Sequence, residues 1–261
     1  MSLVPQTIRP TDAQSTVLPW IECVYRHYET LIEQFPLDPE QGIGGRLIFA
    51  GELQPESTLT DALVTAANIA GAATLVAAPN SASQRRAMRD ALADFVVNSV
   101  EEALRILKNE VRQRRAVSVT VAISAEHLIE EMQRRGVQPD VLPAINSMPT
   151  LTSSLEIFQR NGARAVQLPA HPASVFVVWQ RELCCGSRMT PAETAARQII
   201  SDSLRLRWLR LAPRYLGRAT QRVMGVGISA QEHSVWSEAM RNQSDSSALD
   251  RVHARGQVLQ A

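Results

Sequence analysis

ADFVVNSVEEALRILKNEVRQRRAVSVTVAISAEHLIEEMQRRGVQPDVLP, residues 93–143, decides the fold. Phe95-Val96-Val97 is a short apolar run. Ser99 then stands where a helix N-cap belongs, with Glu102 three residues on as its box partner. Ala103, Leu104, Ile106, Leu107 and Val111 recur at helical spacing, and Lys108, Arg112, Arg114 and Arg115 gather at the far end, where a helix dipole favours cations. Val117-Ser118-Val119-Thr120-Val121 is β-branched and reads as a strand. Ser124 to Arg135 is helical again and Gly136 ends it; Val137 to Leu142 gives another strand, with Pro139 near its start. Strands and helices alternating through short links form a parallel sheet covered by helices.

Upstream the same idiom holds. Ile21, Val24, Tyr25, Tyr28, Leu31 and Ile32 make one apolar stripe on a helix from Trp20 to Phe35, a face able to pack on the sheet or on a second subunit. Pro36, Pro39, Gly42, Gly44 and Gly45 break it. Leu47 to Ala50 is the next strand, followed by Gly51, where a dinucleotide-binding unit places its glycine loop. Glycines there allow a tight turn and let phosphate approach helix amides. This chain continues Glu52-Leu53-Gln54-Pro55-Glu56 instead, one glycine with two carboxylates and a proline, which also suits an ordinary strand–loop–helix joint. Ser57 or Thr58 caps the helix through Leu59, Ala62, Leu63 and Ala66. Ala72 to Ala78 is a strand, and Asn80 follows it at the place where an acidic residue would hold ribose hydroxyls; a turn residue after Pro79 is the plainer reading. Arg85, Arg86 and Arg89 read as a solvated face, with a phosphorylated ligand as the alternative.

Downstream, a helix begins at Thr150-Leu151 and closes at Asn161-Gly162. Ala163 to Leu168 is a strand, and His171 lies in a loop between Pro169 and Pro172. Val175 to Trp179 fits a further strand or a buried helical turn. Thr190-Pro191 starts a helix that reaches Leu209, Val223 to Ile228 is a last strand, Ser229 to Met240 a last helix, and the tail turns polar from Arg241. The expected fold is α/β: a three-layer, doubly wound, mostly parallel, Rossmann-like sheet with extra flanking helices. Its divisions are a helical lead-in at 1–44, the α/β domain at 45–180, and a mostly helical segment with one late strand at 181–261.

Bulk properties exclude more than they select. The 261 residues are 45% hydrophobic, enough for a sizeable core, and the formal net charge of +1 gives no global field for a nucleic acid or a membrane. Cys23, Cys184 and Cys185 do not make a disulfide framework, and neighbours such as Cys184 and Cys185 are strained as a pair, so reduced thiols in a cytoplasmic protein are expected. No apolar run reaches membrane-spanning length, the first residues lack a secretory pattern, and no His/Cys/Asp spacing suggests a metal. Arg205, Arg207, Arg210, Arg214, Arg218 and Arg222 run without an intervening acid from Ser203 to Gln231. Such a face suits phosphates or a nucleic-acid backbone, but it has no aromatic interleaving, so a solvated face or inter-domain salt bridging is preferred and nucleic acid is not an expected partner.

Several segments, in order, carry a family resemblance: Tyr28-Glu29-Thr30 with Phe35; Gly45-Arg46-Leu47 and Ala50-Gly51; Ser99 to Leu104; Ser118-Val119; Arg134 to Val141; Phe158 to Ala163; Arg207 to Ala212; and Val226-Gly227. Together they resemble urocanase, urocanate hydratase, over residues 25–240, as a shortened and divergent member. The resemblance implies a homodimer that adds water to urocanate in histidine breakdown, with tightly bound NAD serving as an electrophile. It makes Gly51, Asn80 and Ser147 the cofactor-contact candidates. Cys184 or Cys185, in Leu183-Cys184-Cys185-Gly186, aligns with the family's catalytic cysteine. Arg164 and His171 are the substrate or phosphate contacts.

The sequence departs from that pattern in several places. The glycine-rich loop is replaced by Glu52 to Thr58, the charged residue after the second strand by Pro79-Asn80, and an aspartate–glutamine–threonine–serine run by Ile145-Asn146-Ser147-Met148. Pro169 to Pro172 stands where the family has glycine–asparagine–asparagine–arginine, and Ile228-Ser229-Ala230-Gln231 removes a proton-moving carboxylate. The leading expectation is therefore a urocanase-like protein that has lost the hydratase reaction and serves as a small-molecule binding or assembly component, with no cofactor expected unless the family function, and with it NAD, is retained. The alternatives are a divergent hydratase or lyase of an imidazole-bearing or related unsaturated carboxylate, with its pocket at the sheet's carboxyl edge, and a phosphate or nucleic-acid binder using residues 205–222.

Overall fold

The computed structural model describes residues 12–36, 38, 40–54, 58–144, 148–168, 174–180, 190–217, 223–244 and 253–254. Six strands form the main sheet: β1 Leu47–Glu52, β2 Ala73–Ala77, β3 Phe95–Val97, β4 Val117–Val121, β5 Val141–Leu142 and β6 Arg164–Ala165. Their order across the sheet is β3-β4-β2-β1-β5-β6, and every pairing is parallel. The helices between them are α2 Leu59–Ala70, α3 Ser81–Arg89, α4 Val100–Gln113, α5 Ala125–Arg134 and α6 Thr152–Arg160, the last preceded by a short 3-10 turn, Pro149–Leu151. This is the expected Rossmann-like, doubly wound α/β fold. The local signals act as read: the Ser99 side chain accepts from the Glu102 amide at 3.2 Å, and Ser124 accepts from His127 at 3.3 Å. The strand expected over 137–142 is shorter because Pro139 has no N–H to give. Pairing begins with Asp140, whose amide donates to the Leu47 carbonyl while its carboxylate accepts from the Leu47 amide, each at 2.8 Å.

Alternation along the strands sorts the core into two layers. Phe49, Leu75, Ala77, Val117, Val119, Val121 and Leu142 face α4, α5 and α6. Ile48, Ala50, Val76, Val141 and Val166 face the other way, onto α2 and α1, Asp12–Glu33. The helix α1 starts before Trp20 and runs through Pro19. Its apolar stripe is buried inside the chain, the first of the two alternatives read for it. Tyr25 and Tyr28 are buried against Trp208, with ring centroids 5.0 and 5.3 Å apart.

Trp208 belongs to a second unit. There β7, Val175–Gln180, pairs antiparallel with β8, Val223–Ile228, and with β9, His253–Ala254. Residues 175–180, read from sequence as part of one α/β unit over 45–180, thus leave the parallel sheet and join this smaller one. Helices α7 Pro191–Ile199, α8 Ser203–Tyr215 and α9 Ala230–Ser244 accompany it. A Cβ on Gly227 of β8 would lie 2.5 Å from the Tyr25 ring, so glycine there is what lets α1 settle on the strand.

Two arginines of the run, Arg205 and Arg207, are spent on this packing. Arg205 forks onto Glu232 at 2.6 and 2.9 Å. Arg207, buried, donates to the carbonyls of Ile69 and Glu40, and the Arg214 guanidinium lies over the Tyr215 ring. Of the two readings preferred for the run, the solvated face holds for Arg210 and Arg214, while the Arg205 salt bridge joins α8 to α9 within the second unit. Arg218 and Arg222 lie outside the described residues.

Candidate functional site

In a doubly wound sheet, ligands bind where successive connections diverge to opposite faces, beyond the carboxyl ends of the strands. Here that point falls between β1 and β5: the chain leaving β1 enters α2 on one face, and the chain leaving β5 enters α6 on the other. A cavity of about 900 Å3 opens there. Ala50, Glu52 and Gln54 come from β1 and its exit, Leu59, Thr60 and Leu63 from α2. Pro143, Ala144, Met148 and Thr152 follow β5, and Val166, Gln167 and Leu168 follow β6. His27 lines it from α1.

The shape of this crevice depends on a β-bulge at Gly51. The β1–β2 register steps from Phe49↔Leu75 to Gly51↔Val76, so two residues of β1 oppose one of β2, and Gly51 has φ of +95°. One extra residue exchanges the two faces for everything after it. Glu52 therefore turns to the α5 side, where its carboxylate accepts from the Ala125 amide at 2.9 Å, and Leu53 turns inward to the α2 side. A carboxylate at the N-terminus of α5 satisfies an orphan amide and suits the dipole. Gly51 itself lies within the strand, not in a loop after it, and the Met148 Sδ sits 3.0 Å from where a Cβ would be.

Beside the cavity, Thr58 occupies the N-cap position of α2 without a side-chain cap bond. Nearby, Arg86 grips both oxygens of buried Asp61 at 2.6 and 2.9 Å and the Gln54 carbonyl at 3.0 Å. Burial pushes the Asp61 carboxyl up against the opposing pull of Arg86. Arg86 is thus a fixed strut, in contrast with the solvated face read from sequence. Arg89 pairs with Asp90.

Of the residues singled out from sequence, Gly51 lies at the cavity's edge, between two lining residues. Asn80 caps α3, its side chain accepting from the Ser83 amide at 2.9 Å. Arg164 begins β6, at the opposite end of the strands, with its guanidinium 4.8 Å from the Phe35 ring centre; Arg46 lies over the same ring at the same distance. Ser147, His171, Cys184 and Cys185 lie outside the described residues. Ser229, where the resemblance expects the approach to a carboxylate, forms a reciprocal cap with Glu232: its hydroxyl accepts from the Glu232 amide, and Glu232 accepts from the Ser229 amide at 2.8 Å. Among the described residues no His, Cys, Asp and Glu cluster could hold a metal ion, and no helix is long and apolar enough to cross a membrane.

His27 was passed over in the sequence. It is buried, and its Nδ1 meets the Cys23 carbonyl at 2.8 Å. A carbonyl only accepts, so Nδ1 carries the proton and Nε2 keeps a lone pair. Burial lowers the pKa of this ring, the carbonyl contact opposing it, which favours the neutral form. The signal was present: Val24 and Leu31, three before and four after, place His27 on the buried side of α1.

Sheet order, helix placement and the switch-point crevice define a doubly wound Rossmann-like domain. The model of the urocanase Rossmann-like domain matches residues 27–151, from His27 in α1 to the 3-10 turn after β5, just under half of the chain. That stretch is similar to the urocanase Rossmann-like domain. The antiparallel sheet and its helices lie beyond the matched residues.

Proposed function

We propose that this chain is a urocanase-like protein that has lost the hydratase reaction and binds a small molecule in the switch-point cavity, as a binding or assembly component. The observation that carries the reading is the bulge at Gly51, which makes a closed strand end where the family's dinucleotide would need open glycine backbone. A pyrophosphate needs unhindered amides close to a helix N-terminus. Met148 lies against Gly51, Pro55 has no amide proton, and the Asn80 side chain is committed to its cap. The residues present do not fit NAD, and no step is drawn through it. The test is calorimetry with NAD at near-millimolar concentration together with the urocanate absorbance over hours. A flat titration and constant absorbance are expected; a stoichiometric bound nicotinamide or measurable turnover would overturn the reading.

One observation favours a divergent hydro-lyase as the second reading: His27 brings a neutral imidazole to the cavity wall, and such a group is suited to proton transfer. Turnover of an unsaturated carboxylate that disappears in Cys184→Ser or Cys185→Ser would put that reading first. A phosphate- or nucleic-acid-binding role gains no support from Arg205 and Arg207, which are engaged internally. The homodimer rests on the resemblance alone, since α1's stripe is buried; sedimentation giving a single 28.8 kDa species would remove it. A cytoplasmic location with reduced thiols completes the reading.

A further inference from the structure

We infer that the ligand of this cavity is an apolar molecule bearing an N–H donor, neutral or cationic, an arylalkyl amine or a nitrogen heterocycle, and not an anion. The inference rests on the cavity being a small-molecule site, as proposed above. Three observations carry it. First, two polar groups of the wall, His27 and Glu52, present acceptors, beside the neutral side chains of Gln54, Thr60, Thr152 and Gln167. His27, 6% exposed, has its Nδ1 proton tied to the Cys23 carbonyl, so its other nitrogen offers a lone pair with no partner among the described residues. Glu52 uses one oxygen on the Ala125 amide and keeps the other without a partner among the described residues. Both acceptors open onto the cavity, where a ligand donor can take the place of water. Second, no described residue lining the cavity is Lys or Arg, and the Arg86 guanidinium beside it is already held by Asp61. An anion would therefore meet a carboxylate with no side-chain cation among the described residues to offset it, only neutral donors such as Thr60 and Gln167 and the partial charge of the α2 terminus, about half a unit. Third, most of the wall is apolar, through Leu63, Pro143, Met148 and Val166, and Leu59 and Leu168 at 48% and 41% exposure add apolar surface to it. Such a wall accepts a hydrocarbon body.

The experiment uses the full chain and four probes of similar size: benzylamine, benzimidazole, benzoate and inorganic phosphate. Binding is followed by calorimetry and by the imidazole 15N resonances of His27. Benzylamine and benzimidazole are expected to saturate and to move the His27 Nε2 signal, while benzoate and phosphate do neither. Glu52→Gln is expected to weaken benzylamine about tenfold and benzimidazole less, because only the amine loses a charge-assisted hydrogen bond. Benzoate or phosphate moving the His27 signal as strongly as the amines would overturn this inference while leaving a small-molecule site in place. No probe perturbing His27 at millimolar concentration would overturn both the inference and the binding role. Probe selectivity on the unmodified chain decides the matter even if Glu52→Gln proves unstable.

Discussion

At Gly51 the backbone of β1 sits at φ +95° with a thioether against its open side, so two costs coincide for any side chain there. A Cβ would strain the backbone and press on the Met148 Sδ. Gly51→Ala is expected to destabilise the fold by about 1–2 kcal/mol, read as a lower urea midpoint at unchanged slope. His27 offers a different residue-scale test. Burial holds its folded pKa below the ordinary 6.5, so between the two values the unfolded chain binds more protons than the folded one. Stability from this group is full above about 6.5 and is lost as the pH falls through the window beneath it. Thermal midpoints of the parent are expected to drop across that window more steeply than those of His27→Gln; parallel curves would show that the ring is not held neutral. Sequence places Glu52 where a glycine loop would stand, but its destination at α5 depends on a one-residue bulge, which no periodicity announces. His27 is the converse: its spacing places it on the buried face of α1, but spacing does not state that this face borders a cavity.

At the scale of elements, the strands and helices of the parallel sheet were readable because each carries its own cap, period and stop signal within a few residues. The antiparallel pair was not. Val175–Gln180 and Val223–Ile228 are far apart in sequence, and an apolar run does not state its partner. The arginine run shows the same limit, since spacing gives a row of guanidinium groups but not what each meets. Arg207 ties α8 to the carboxyl end of α2 and to the turn before β1, through the Ile69 and Glu40 carbonyls. Arg210, one turn nearer solvent, is exposed. Arg207→Met is expected to cost about 2–3 kcal/mol, because two carbonyls lose a charged donor, and Arg210→Ala less than about 0.5. Equal urea midpoints for the two variants would mean that α8 is not anchored by this contact.

For the molecule as a whole, the question is whether two sheets behave as one folding unit. The shared piece is α1, which lies along α2 on one side and reaches β8 on the other, the Tyr25 hydroxyl donating to the Gly227 carbonyl at 3.3 Å. Trp208 stands at the centre of that junction. It is fully buried, edge-on to Tyr25, and its indole N–H donates to the Gly225 carbonyl at 2.8 Å. If the junction is cooperative, neither sheet keeps its face covered once the other opens, because the α1 and α2 layer of the core is continuous with the antiparallel unit. Trp179 on β7 and Trp236 on α9 report the smaller unit by fluorescence, while far-UV circular dichroism weighs all the helices together. The parent is expected to unfold in urea with coincident curves from the two probes. Trp208→Ala removes the central ring and leaves the Gly225 carbonyl unpaired, so it is expected to lower stability by about 3–5 kcal/mol. Both curves should move by the same amount, because the loss falls on contacts that both sheets share. A fluorescence transition that precedes the dichroism transition in the parent, or that alone moves in Trp208→Ala, would mean that the antiparallel unit opens by itself and that α1 belongs energetically to the Rossmann-like domain.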